Sequence, residues 1–281
     1  MALILTGAAG HLGGVLREPM AKLAAKMGME LVSSDFAPLT GELHPNERFV
    51  QCDVSQRDQV DALVAGAHMV THFGAIGDEA PFEEIWGPNF MGAYNIWEAS
   101  YRAGVRRVVY ASSIHAVGMT PKGGKVDLEV PHRPDTFYGL SKCFAEDLGR
   151  MYWEKRQFES VCMRICSCAP VGNARALGTW LSYPDLIQLV IRAIDTPVVQ
   201  WTVIYGVSNN DRSMFNNDQA AHLGFRPQDN AEQYADEMLA NEPAADPSDI
   251  NIERIGGPFA GIKLGHGALS LIKRGGEFAE D

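Results

Sequence analysis

The 281-residue chain has only five cysteines, Cys52, Cys143, Cys162, Cys166 and Cys168, and no two of them are spaced Cys-x-x-Cys. An odd, unpaired set argues against a disulfide framework. Cys162, Cys166 and Cys168 crowd the end of one strand-like run, but thiols there read as small buried hydrophobes; no metal and no disulfide is expected. Long apolar runs are missing too: no stretch of eighteen apolar residues occurs, so no membrane-spanning helix is expected. Basic residues are in deficit, 24 Lys and Arg against 35 Asp and Glu, for a formal net charge of −11. A nucleic-acid partner would require a cationic face, and none is expected here. The opening apolar run Ala2–Leu5 is too short for a signal peptide, and no cationic segment precedes it. A cytoplasmic location is the expectation.

What the chain does have is alternation. Strand-like runs at Ala2–Thr6, Glu30–Ser34, Arg48–Cys52, Ala67–Phe73, Arg106–Ala111, Glu159–Ile165 and Val199–Tyr205 are separated by helical stretches near His11–Met27, Gln56–Gly66, Phe82–Ala103 and Thr136–Lys155. Such a rhythm predicts an α/β fold: a doubly wound, Rossmann-type parallel sheet of about seven strands, covered on both faces. Pro19 is expected to end or kink the first helix, because it cannot donate the backbone bond. After Ile165 the rhythm breaks, with an irregular Cys166–Trp180, a helix near Tyr183–Asp195 and short helices near Asn216–Leu223 and Asn230–Asn241. Asn241–Asp249 reads as a loop, and the tail from Gly256 has no periodicity. We read 1–281 as a single domain, 1–165 mainly the nucleotide-binding core and 166–281 mainly a small substrate lobe and tail. The stripe of Ala93, Ile96 and Trp97 reads equally as subunit interface or sheet-facing core; a homo-oligomer is the expectation.

Thr6-Gly7-Ala8-Ala9-Gly10-His11-Leu12-Gly13 follows the first strand and opens the first helix. Gly7 suits a tight turn, Gly10 a close phosphate approach and Gly13 close packing, with the helix N-terminus at His11 and Leu12 facing the pyrophosphate. Asp35 ends the second strand, about twenty residues on, where a carboxylate binds the adenosine ribose hydroxyls. No Arg or Lys follows to receive a 2′-phosphate, so NAD is expected rather than NADP. Asp53 and Val54 should flank the adenine; Phe73, Gly74 and Ala75 should line the nicotinamide side. Tyr138 and Lys142 share a helix face at i and i+4. The lysine, with the charge of oxidised nicotinamide, is expected to lower the phenol's pKa so that Tyr138 acts as general base; Lys142 would also hold the nicotinamide ribose. Ser113, with Ser112 as the alternative, would polarise the reacting oxygen. Asn89 reads either as a proton relay at the cofactor or as a packing residue, and His115 as a substrate contact or a polar loop residue.

Together these motifs resemble the extended short-chain dehydrogenases, and the finer pattern is similar to the uronate dehydrogenase family. Arg133-Pro134-Asp135 before Tyr138, Ser141-Lys142-Cys143, Arg175 through Ser182, Tyr205–Asn209 and Leu223–Asp229 carry the likeness across roughly residues 1–240, with a trace at Gly256–Phe259. The resemblance implies that NAD oxidises C1 of a cyclic hexuronate to a lactone. It also implies that Arg175 grips the carboxylate, aided by Ser167, that Phe259 closes over the sugar and that Cys166 lies beside the cofactor. Two departures stand out: Ile114, beside the sugar, replaces a usual polar residue, and Gly77 lies where a serine is common. Both remove hydrogen bonds to sugar hydroxyls, so another anionic or neutral aldose stays open. A nucleotide-sugar epimerase or dehydratase is the rival enzyme; such dehydratases carry an acidic pair where this chain has Ile114-His115. An NAD-sensing binding protein is the rival from another class, but its kind typically loses the tyrosine–lysine pair.

Overall fold

Seven strands pair side by side: β1 (Ala2–Thr6), β2 (Glu30–Asp35), β3 (Glu47–Gln51), β4 (Ala67–His72), β5 (Arg107–Ser113), β6 (Glu159–Ile165) and β7 (Trp201–Gly206). Their order is β3-β2-β1-β4-β5-β6-β7, and every pairing is parallel. The structure is a computed structural model that describes residues 1–240, 246 and 248–267. Each expected strand is present with its ends within two residues of the expected ones. Central runs such as Leu3-Ile4-Leu5 are apolar throughout because both faces of the sheet are covered.

The helices His11–Lys26 and Tyr183–Asp195 pack together on one face, while Arg57–Val64, Gly92–Arg102 and Phe137–Arg156 form the layer on the other. Pro19 does not end the first helix, which runs on to Lys26. Leu16 before it and Met20, Ala21 and Ala24 after it are buried, and this packing outweighs one lost backbone bond. The long helix expected at Phe82–Ala103 is interrupted. A turn at Phe82–Ile85 and a π turn at Trp86–Met91 precede Gly92–Arg102. Ala93, Ile96 and Trp97 are core residues with no exposed surface. The exposed apolar side chains of these helical segments are instead Trp86, Tyr94, Tyr101, Leu140, Phe144 and Met151.

The chain after residue 166 is not only a lobe, since it also supplies β7 and the Tyr183–Asp195 helix. Ser182 caps that helix by accepting from the Asp185 N–H at 3.1 Å. Its other end is closed by the buried Arg107, which donates to the carbonyls of Ala193, Ile194 and Thr196. Segments from both halves meet over the carboxyl ends of the strands. There Ile255 N–H donates to Thr120 O, Gly256 N–H to Gly118 O, and Val126 N–H to Met214 O. The Asn241–Asp249 loop falls largely, and the end of the tail wholly, outside the described residues. The helix expected near Asn216–Leu223 is a 3-10 segment, Asp218–Leu223; that near Asn230–Asn241 is a 3-10 turn followed by Ala235–Leu239.

One buried ion pair anchors the Phe137–Arg156 helix to β6. Glu146 accepts from Arg164 Nη2 at 2.8 Å, His132 Nε2 at 2.8 Å and Ser112 Oγ at 2.5 Å. Burial alone would raise this carboxyl, but the Arg164 charge and the three hydrogen-bond donors outweigh it and hold it at about 2. A depressed carboxyl stabilises the fold above its ordinary pKa of 4.5 and loses that contribution as pH falls toward about 2. Glu146→Gln is therefore expected to cost ~3–5 kcal/mol at neutral pH, because Arg164 is left buried without its counter-charge. Denaturant unfolding across pH checks this: the gap between native and variant should shrink steadily below the ordinary carboxylate pKa.

Candidate active site

The loop after β1 is built by close approach. Gly7 has φ +76°, and a Cβ on it would stand 2.5 Å from the Phe73 carbonyl carbon. A Cβ on Gly13 would stand 1.9 Å from the Gly7 oxygen, so this glycine serves the loop itself rather than helix–sheet contact. The helix begins at His11, and no side chain caps its first turn, which leaves its N–H groups free for an anion. Asp35 is fixed by its own backbone neighbourhood, Oδ2 accepting from Ala9 N–H at 2.9 Å and Oδ1 from Ala37 N–H at 3.0 Å.

Gly7, Gly10, Asp35, Asp53, Val54, Phe73, Gly74 and Ala75 line one cavity of about 540 Å³ at the point where the strand order reverses between β1 and β4. Thr6 and Ala9 of the glycine loop, and Phe36 and Ala37 after Asp35, line it as well, as do Cys52, Ser55, Ile76 and Pro88, which carry no signal in the sequence. His11 does not line it, because its Nε2 pairs with the Tyr183 hydroxyl at 2.8 Å. Leu12 packs against the core. Cys166 is buried, its thiol pushed up to about 12 by burial.

Asn89, Gly92 and Asn95 hold the rim in a connected way. Asn89 exchanges bonds with the Ile76 backbone at 2.9 and 3.1 Å and donates to Ser141 Oγ at 3.1 Å. Gly92 comes so near Val54 that a Cβ would lie 2.8 Å from its methyl. Asn95 donates to the carbonyls of Val54 and Ser55, each at 3.0 Å. Asn89 thus ties the loop after β4 to the helix that carries Tyr138.

That helix starts at a doubly held N-terminus. Thr136 Oγ1 accepts from Gly139 N–H at 2.9 Å, and Glu79 Oε2 accepts from Tyr138 N–H at 2.8 Å. Strand alternation sends Ser112 toward Glu146 and leaves Ser113 on the opposite face, where its hydroxyl favours ionisation of the Tyr138 phenol. Lys142 Nζ donates to Ala111 O at 2.9 Å and lies 5.2 Å from the Tyr138 ring centroid. The expected lowering of the phenol does not hold for the protein by itself. Burial pushes Tyr138 up to about 12, partly offset by the Ser113 hydroxyl, and burial pulls Lys142 down to about 7.

On the far wall, His115 Nδ1 pairs with Asp135 Oδ2 at 2.7 Å, and Phe259 stacks on the imidazole with centroids 3.8 Å apart. Arg175 Nη1 donates to Ser167 Oγ at 3.1 Å and Nη2 to Ile255 O at 2.9 Å. Its Nε is buried without a partner among the described residues. A Cβ on Gly257 would collide with that guanidinium at 2.4 Å, so residues 255–257 lie directly on Arg175. Ile114 is 2% exposed and belongs to the main core, whereas among the described residues, its chain neighbours aside, nothing lies within 4 Å of where a Gly77 side chain would begin. Asp135, Thr136 and Glu79 are site residues that the sequence reading did not single out. The Asp-Thr pair before a helix was a capping signal for the first two; Glu79 had none.

A sequence profile of the NAD dependent epimerase/dehydratase family matches residues 3–197. The chain is 40% identical over 259 residues to a uronate dehydrogenase of Pseudomonas putida, covering 92% of this chain and 95% of that one. Among solved structures, a glucuronic acid dehydrogenase from Chromohalobacter salexigens matches at 39% identity and TM-score 0.89, over 93% of this chain and 97% of that one. A mutant uronate dehydrogenase from Agrobacterium tumefaciens in complex with NAD matches at 40% identity and TM-score 0.87, with the same coverage.

The loop geometry makes a direct prediction. Gly13→Ala should force the Gly7 turn open and cost ~1–3 kcal/mol or more, the scale of overpacking a tight interior. Gly14→Ala next to it, where a Cβ meets nothing within 4 Å, should leave the thermal melting temperature near native.

Proposed function

Because the chain belongs to the NAD dependent epimerase/dehydratase family, and within it to the uronate dehydrogenases, we propose that it oxidises C1 of a cyclic hexuronate to the lactone. NAD, when bound, supplies the hydride acceptor. Gly7, Gly10 and the first turn at His11 would hold its pyrophosphate, Asp35 the adenosine ribose and Lys142 the nicotinamide ribose. The fixed Asp35 carboxylate retains lone pairs for ribose hydroxyls and repels a 2′-phosphate, which suits NAD.

Tyr138 removes the proton of the C1 hydroxyl, and Ser113, whose hydroxyl favours the ionised phenol, orients the same oxygen. The Lys142 ammonium stabilises the tyrosinate as it forms. The observation that carries the acid-sugar reading is Arg175. Its guanidinium is buried, oriented by Ser167 and by the Ile255 and Gly256 carbonyls, and its Nε has no partner among the described residues. A planar cation so held is suited to a carboxylate, which takes two parallel hydrogen bonds. Phe259, on the segment that Arg175 fixes, covers His115 and so shields the sugar from water.

Five free thiols and the use of NAD suit the reducing cytoplasm. Leu140, Phe144 and Met151 recur on one face of their helix and Tyr94 and Tyr101 on one face of the neighbouring helix, all exposed; we assign this face to pairing with a second copy. Sedimentation velocity should then give at least twice the 30.7 kDa chain mass, and a monomer would remove the assignment. Arg175→Ala should lower kcat/KM for a hexuronate roughly ten- to over a hundredfold with NAD affinity unchanged. Arg175→Lys should recover only part of it, since an ammonium cannot make paired bonds. An alanine variant that keeps its uronate rate would sink the acid-sugar reading.

A further inference from the structure

Asp135 is buried directly before the helix that carries Tyr138, and nothing in the mechanism above uses it. Its carboxylate is fully out of solvent, with Oδ2 accepting from His115 Nδ1 at 2.7 Å and Oδ1 from Thr136 Oγ1 at 3.0 Å. Glycines of three segments clear the space around it. A Cβ on Gly118 would stand 1.8 Å from Oδ2, one on Gly256 2.2 Å from Oδ2 and one on Gly139 3.0 Å from Oδ1. His115 is thereby held edge-on to the Tyr138 ring, centroids 5.9 Å apart, with Phe259 flat against its face. Among the described residues Nε2 has no hydrogen-bond partner.

A carboxylate only accepts, so the hydrogen of the 2.7 Å contact is on Nδ1. In the neutral imidazole Nε2 then carries a lone pair. We propose that Asp135 is a positioning residue for substrate selection: it locks His115 as the Nδ1–H tautomer, so that Nε2 accepts a hydrogen bond from one hydroxyl of the sugar ring. The Asp135 bond fixes the rotation of the imidazole, and Phe259 on its face fixes the tilt. A ring hydroxyl can donate to that lone pair; a deoxy or O-methyl position cannot. The hydroxyl beside His115 is therefore read as a donor, independently of the anionic end held by Arg175.

The proposal rests on the sugar-acid reading, and its first test needs no substrate, so the two fail separately. Ring-15N histidine labelling, with the His115 signals identified by their loss in His115→Gln, reports the tautomer among the eight histidines. At neutral pH the native protein should have Nδ1 protonated and Nε2 bare. In Asp135→Asn the carboxamide N–H can donate to Nδ1, and the proton should move to Nε2. Kinetically, Asp135→Asn should raise the sugar-acid KM roughly three- to tenfold, with kcat within about twofold of native and NAD affinity unchanged. A native ring protonated on Nε2, or on both nitrogens, would overturn the proposal. So would an Asn variant with native KM. Should that variant fail to fold, the native spectrum decides alone.

Discussion

Tyr138 and Lys142 are both buried, and water is excluded from each by the same packing that aligns them. Burial disfavours charge on either group, which is why the phenol rises to about 12 while the ammonium falls to about 7. The opposed shifts have one joint remedy. A tyrosinate beside an ammonium relieves both penalties at once, so the proton leaves the phenol most easily when Lys142 keeps its own. Chemistry at Tyr138 thus depends on a desolvated pair, and the surrounding structure serves to hold that pair in register without admitting water.

The supports divide by face. Beneath the helix, Glu146 joins Arg164, His132 and Ser112 into one network. That network commits Ser112 to the fold and leaves Ser113 to the phenol. At the helix start, Thr136 and Glu79 take the first free N–H groups. Along its side, Ser141 receives Asn89, which also grips Ile76 in the loop that lines the nucleotide cavity. Cofactor cavity and catalytic helix are therefore joined through Asn89, which sits in a π turn, and the same loop reaches the helix start through Glu79.

Much of this was legible in the chain because the signals were local. The glycine loop, Asp35, the i to i+4 Tyr138–Lys142 pair and the Tyr183–Asp195 helix each follow from a few adjacent residues. What was not legible depends on contacts distant in sequence. From sequence alone Asn89 reads equally as relay or packing, because its partners Ile76 and Ser141 lie on other segments. Ala93, Ile96 and Trp97 looked equally suited to an interface because an apolar stripe does not say which surface covers it. For Pro19 the sequence shows the missing N–H but not the core its neighbours Leu16, Met20 and Ala21 bury against. Attraction of the phenol to Lys142 can be read from spacing, whereas the burial that raises it in the protein by itself cannot. Asp135 drew notice only as part of a resemblance, since its role comes from glycines 118 and 256, far along the chain.

In the proposed function, one buried site combines an acid-sugar grip with tyrosine-driven oxidation at C1. The direct measurement is NADH formation by the native protein with a hexuronate and with the neutral aldose of the same configuration. The account predicts turnover with a kcat/KM for the hexuronate at least about tenfold that for the aldose, the worth of one charge-assisted carboxylate contact. Equal rates for the two sugars, or no NADH from any hexuronate, would contradict it.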